Sequence, residues 1–186
     1  MSEIAFEMFT IIENGFNNRN TEFIEKDFVR LEKKENYCDQ MNEAILRYVV
    51  NMESLSLTEV QRNELSKLTQ ISDELEAMTD ECATMGFLIK RSIEKNMKFE
   101  TEDINLLFPY LLMAKDFVQF IKDNVNKKIT IPQFKYATEL EAKIDQQKNY
   151  LKKTARKHIE GGADVKSGLM YIDFVRHIEK LGDHAY

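Results

Sequence analysis

The side chains with the most capacity for chemistry in this chain are acids. Glu35 and Asp39, Glu76 and Asp80, Glu141 and Asp145, and Glu179 and Asp183 each form a Glu-x-x-x-Asp pair. A four-residue step on a helix puts both carboxylates on one face, where they repel each other. A second such pair opposite the first worsens the repulsion unless protons or cations neutralise it. Clustered carboxylates without thiolates are hard oxygen donors suited to Mg²⁺, Ca²⁺, Mn²⁺ or iron, and facing helices of a bundle can carry such ligands. A ferritin-like di-iron centre also needs Glu-x-x-His. None of the three histidines, His158, His177 and His184, has a Glu at that step.

The elements that position these acids read as helices throughout. Six Gly and two Pro in 186 residues, with 43% apolar content, belong to long helices joined by short loops. Apolar residues at three- and four-residue spacing predict a short helix over 2–16, a long one from Thr21 to about Glu53, and a third running to Lys95. Ser56-Leu57-Thr58-Glu59 has the form of a capping box for that third helix. Thr101 is a candidate N-cap for a fourth helix that kinks at Pro109 and closes over Asn124–Lys128. Pro132 opens a fifth, Gly161-Gly162 stops it near His158, and a sixth starts at Asp164. The fold class is therefore all-α. The order short, long, long occurs twice, so the expected organisation is two tandem, pseudo-symmetric antiparallel three-helix bundles over 1–97 and 98–186.

Register separates these acid pairs from chance. With 32 acids in the chain, about five pairs at this spacing arise at random, so one pair alone carries no information. The centres of the first two pairs lie about 18 and 23 residues from the turn near residue 55, and those of the last two about 18 and 20 from Gly161-Gly162. In an antiparallel hairpin the pairs of each half are thus nearly level. Between halves the offset is 106 residues for Glu35 and Glu141 and 103 for Glu76 and Glu179, and both Asp39 and Asp145 are followed by Gln.

The stretch Arg176-His177-Ile178-Glu179-Lys180-Leu181-Gly182-Asp183-His184-Ala185 resembles the signature of PhoU-type phosphate-uptake regulators: acid, base, apolar residue, Gly, Asp. Glu76-Ala77-Met78-Thr79-Asp80 keeps both acids but has Ala77 and Thr79 where the signature has a base and Gly. The resemblance spans essentially the whole chain. It implies a PhoU-like bundle in which Glu35, Asp39, Glu76, Asp80, Glu141, Asp145, Glu179 and Asp183 bind a divalent or multinuclear metal: iron, Mn, Mg or Zn. The second cluster, closer to the signature, is expected to be the stronger. Tyr48–Leu57 and the entry from Lys98-Phe99 to Thr101 look more like the cytoplasmic domain of bacterial Na⁺/phosphate cotransporters than like the free-standing regulator. The end of the chain inside a helical pattern agrees with an excised domain.

What the resemblance implies is a non-enzymatic regulatory domain at the cytoplasmic face of the inner membrane. Its expected partners are a membrane transporter domain, on the same or another chain, and a second copy of itself. The alternative is a free-standing regulator that contacts a transporter and a sensor kinase. A net charge of −6 speaks against nucleic acid. There is no apolar run of about 18 residues and no signal peptide. Neither a Gly-rich phosphate loop nor a Ser-His-Asp or Cys-His arrangement can be assembled, so a carboxylate-metal hydrolase is disfavoured. Cys38 and Cys82 read as small buried thiols rather than ligands. His177 and His184 read as surface side chains, with the outer shell of a metal as the functional alternative, and Lys152, Lys153, Arg156, Lys157 and His158 as a solvated basic face.

Overall fold

The computed structural model describes residues 1–186 as six α-helices and no strand. They are α1 (Ser2–Asn17), α2 (Phe28–Glu53), α3 (Glu59–Glu94), α4 (Thr101–Asn124), α5 (Ile131–Glu160) and α6 (Val165–Ala185). The all-α reading holds; the short-long-long order appears in the first half, with 16, 26 and 36 residues, but not in the second, where α4 (24 residues) is longer than α6 (21 residues). One departure is a π-helical turn over Phe23–Asp27, which leads directly into α2. Its Phe23 is buried against Gly15 of α1, where a Cβ would come within 2.2 Å of the ring. Gly15 thus permits a close approach that orients the start of α2.

Capping chemistry sets the starts. The capping box of α3 lies two residues beyond Ser56, on Thr58 and Gln61: the Thr58 backbone N–H donates to Gln61 Oε1 at 2.9 Å, and Gln61 N–H donates to Thr58 Oγ1 at 3.3 Å. Gln at the third position serves this reciprocal bond as Glu does. Thr130 and Gln133 repeat the device on α5, with Pro132 in its first turn. Glu100, not Thr101, is the N-cap residue of α4, and the helix runs unbroken through Pro109. Gly161 ends α5, and Gly162 takes φ +100°, a conformation that disfavours a side chain.

Helices α2, α3, α6 and α5 pack in that order; α1 lies over α2 and α3, α4 over α5 and α6, and α1 touches α4. Each amphipathic helix buries one stripe, and the stripes merge into one cluster of 31 residues drawn from all six helices. Aromatic rings cross between the halves: the centroids of Phe16 (α1) and Phe174 (α6) are 4.8 Å apart, and Phe99 stacks at 5.6 Å on Phe16. By length and composition α4 is the one helix apolar enough to cross a membrane. Here it lies within the bundle, with Leu107, Tyr110, Leu111, Ala114, Phe117 and Val118 buried.

At one end of the second half His158 leaves the basic face expected for it and clasps α4. Its Nδ1 lies 3.0 Å from Asp103 and its Nε2 3.2 Å from Glu102. The hydrogen bond to Asp103 raises the imidazole above its ordinary range, against a smaller effect of burial. Asp103, itself buried, is also raised, because burial outweighs the help from His158. A histidine raised by folding adds stability that is complete below its unfolded pKa and is lost as pH rises through the folded one. His158→Gln is therefore expected to lower stability more at about pH 6 than at about pH 8.5. Urea denaturation of both proteins at the two pH values measures this; equal losses would remove the ionic account.

Candidate metal centre

In the first half the antiparallel run of α2 against α3 brings Glu35 and Asp39 to the level of Asp80 and Glu76. One carboxylate oxygen each from Glu35, Asp39 and Asp80 lies within 4.8 Å of the others. Glu76 adjoins this trio without joining the mutual contact, and the charges of Asp80, Asp39 and Glu35 act on it. Burial, then Asp39 and Asp80, hold the Glu35 carboxyl above the usual range. Burial, then Asp80 and Asp39, do the same to Glu76. Asp80 is raised by burial, Asp39 and Glu81, with the nearby His184 pulling the other way. No lysine or arginine forms an ion pair with any of the four, so no salt bridge relieves their repulsion. Three converging hard oxygens, short of positive charge, on two helices that they would join, fit a divalent cation.

The second half carries the same acids in a different electrostatic setting. Lys148, one turn beyond Asp145 on α5, donates from Nζ to Asp145 Oδ1 at 2.7 Å and also to Glu179 Oε1 of α6. Its side chain and that of Glu179 are largely buried, at 16% and 15% exposure. The lysine hydrogen bond pulls Asp145 below the usual carboxylate range. Burial alone would lower Lys148, but its bonds to Asp145 and Glu179 raise it. Asp183 is raised by burial and then by Glu179, with Lys148 opposing and Asp145 and Glu141 adding to it. An ammonium thus joins the two helices in this half. The signature favours the second cluster for metal; the geometry favours the first.

Sequence reasoning did not single out Lys148. A signal was present, since the 106-residue offset that aligns Glu35 with Glu141 pairs Lys148 with Asn42. Asn42 is neutral and turns away from the trio, accepting a hydrogen bond from Ser72 Oγ at 2.6 Å and donating to Asp73 at 3.3 Å.

The histidines of α6 are not plain surface side chains, since both meet acids of α3. The antiparallel run of α3 and α6 sets His177 opposite Glu81 and His184 opposite Glu74, and the Nδ1 contacts are 2.5 and 2.9 Å. Lys180 adds a 3.3 Å bond to Glu81. The seam between the halves is thus laced by two histidine–carboxylate contacts and the Lys180–Glu81 ion pair. Cys38 and Cys82 are fully buried, as the sequence suggested. Burial pushes both thiols up, which keeps them protonated and unsuited to metal.

Solved structures share this arrangement of helices. PhoU from Pseudomonas aeruginosa matches with a TM-score of 0.76, covering 98% of this chain and 88% of that one at 14% identity. The fold is that of PhoU. A second PhoU, the phosphate transport system regulatory protein from Streptococcus pneumoniae, matches with a TM-score of 0.66, 98% and 86% coverage and 16% identity. At these identities the likeness to PhoU is one of fold. No family model and no curated protein matches the sequence.

Proposed function

We propose that this chain is a PhoU-like regulatory domain of phosphate transport that acts by binding rather than by catalysis. Within that reading it is the cytoplasmic domain of a sodium-dependent phosphate cotransporter, and it takes a divalent cation through Glu35, Asp39 and Asp80, with Glu76 beside them. The observation that carries the proposal is the convergence of those three carboxylates, without a lysine or arginine partner, inside a PhoU fold that covers 98% of the chain. A bound cation supplies charge neutralisation and a cross-link between α2 and α3. The chain's own part is to hold the oxygens on two rigid helices, so that cation occupancy is coupled to how firmly the hairpin closes.

Partners follow from the same reading: a transporter domain on the same or another chain, and a second copy of the bundle. The alternative is a free-standing PhoU-type regulator, which shares the fold and the acids. The native gene product separates the two: apolar spans encoded ahead of Met1 belong to the cotransporter, and a product without them belongs to the regulator.

The metal test is direct. Protein purified without chelator, and protein soaked in Mn²⁺ or Fe²⁺ and desalted, is assayed for metal by elemental analysis beside Glu35→Gln and Asp39→Asn. The wild type is expected to retain metal that both variants lose. No retained metal in the wild type, or unchanged content in the variants, would sink the proposal.

A further inference from the structure

We infer that Lys148 is a tethered counter-cation that takes the place of a metal in the second half, so that the side chains at positions 42 and 148 decide which half accepts a divalent cation. The inference rests on the metal reading of the first half and assigns the two halves different roles.

The argument begins with alignment. Asp39-Gln40-Met41-Asn42 and Asp145-Gln146-Gln147-Lys148 occupy the same place in the two halves, one turn beyond the Asp of the pair. In the second half Lys148 Nζ reaches both helices, bonded to Asp145 on α5 and to Glu179 on α6. An ammonium there satisfies two of the four acids, and a divalent ion drawn to those carboxylates meets a positive charge already bonded to them. The chain supplies the cation at no cost in translational entropy and independently of metal supply. In the first half the aligned residue is neutral Asn42, held off by Ser72 and Asp73. The nearest lysine on α2, Lys34, is bonded to Glu7 of α1. The first-half acids therefore lack the internal cation that Asp145 and Glu179 have.

One hairpin consequently carries its bridging cation at all times, and the other gains one only when a cation binds. A repeat of this kind has a fixed reference bundle and a responsive one, joined along α3 and α6 by the Glu81–His177 and Glu74–His184 contacts.

A residue exchange tests the assignment. Lys148→Asn, Asn42→Lys and the double variant are compared with the wild type by Mn²⁺ content after equilibrium dialysis and by melting temperature in EDTA and in excess Mn²⁺. Lys148→Asn is expected to melt lower than the wild type in EDTA, to recover in Mn²⁺, and to bind about one further Mn²⁺ per chain. Lys148→Arg, which keeps the charge, gains none. Asn42→Lys is expected to lose the Mn²⁺ that the wild type binds, and this arm stands even if Lys148→Asn fails to fold. A Lys148→Asn protein that folds and gains no Mn²⁺, or an Asn42→Lys protein that keeps it, overturns the inference. A wild type that binds no Mn²⁺ while Lys148→Asn does bind it refutes the metal reading of the first half and leaves the role of Lys148 standing.

Discussion

Asp80→Asn is expected to raise the melting temperature of chelator-treated protein at neutral pH and to remove the rise that Mn²⁺ produces in the wild type. The two effects have one origin. Glu35, Glu76 and Asp80 all have carboxyls held above their ordinary range, by burial first and by neighbouring acids second, Asp39 acting on all three. An acid whose pKa is raised by folding subtracts stability above its folded pKa, and the penalty disappears as pH falls below the unfolded value. The metal-free wild type should therefore gain stability as pH falls from neutral toward about 5, until other groups titrate. Asp80 has no ion-pair partner, so Asn removes a repelling charge without breaking a bridge. In the wild type, cation at a hundredfold excess over its dissociation constant adds about 2.7 kcal/mol. For a chain of this size that is roughly 5–11 °C. Calorimetry of both proteins in EDTA and in Mn²⁺ reads all these quantities. A less stable Asp80→Asn in EDTA, or an undiminished response to Mn²⁺, contradicts the account.

The second large effect concerns the joint between the halves. Phe174→Ala is expected to lower global stability by about 3–5 kcal/mol, or roughly 6–20 °C in melting temperature, while leaving a single cooperative transition. Phe174 is 1% exposed and packs on Phe16 of α1, which in turn meets Phe99. Three residues before it, Tyr171 is also buried and donates from its hydroxyl to the Asp103 carbonyl of α4 at 2.9 Å. Truncation leaves a cavity bounded by both halves, and such a core relaxes only in part. Because the 31-residue cluster includes side chains of every helix, loss at this point is felt by the whole chain. Differential scanning calorimetry with a comparison of calorimetric and van't Hoff enthalpies is the measurement. Two separate transitions, only one of them displaced, would show that the halves fold on their own.

Much of this architecture was legible from residue patterning. Apolar spacing over 2–16 and the stop at Gly161-Gly162 are local signals, and α1 and α5 end close to where those signals lie. The π turn at Phe23–Asp27 was not legible, because it depends on Phe23 meeting Gly15 of another helix. The capping box of α3 was read two residues early, since Ser56 and Thr58 both offer a hydroxyl and only the backbone path chooses between them.

For the candidate site the division is similar. Helical periodicity and equal distances from a turn depend only on residue number, which is why the level placement of Glu35 and Asp39 with Asp80 could be read from the chain alone. The charge balance at that level depends on which long side chain bends across a helix interface, and spacing does not encode this. Lys148 and Asn42 stand at aligned positions, yet one reaches into its acids and the other turns to Ser72. Likewise the antiparallel packing of α3 on α6, and not any motif, sets His177 against Glu81 and His184 against Glu74. The order of residues set the acid pairs level across each hairpin and placed Asn42 and Lys148 in line; tertiary packing decided that Lys148 bridges Asp145 and Glu179 while Asn42 turns to Ser72.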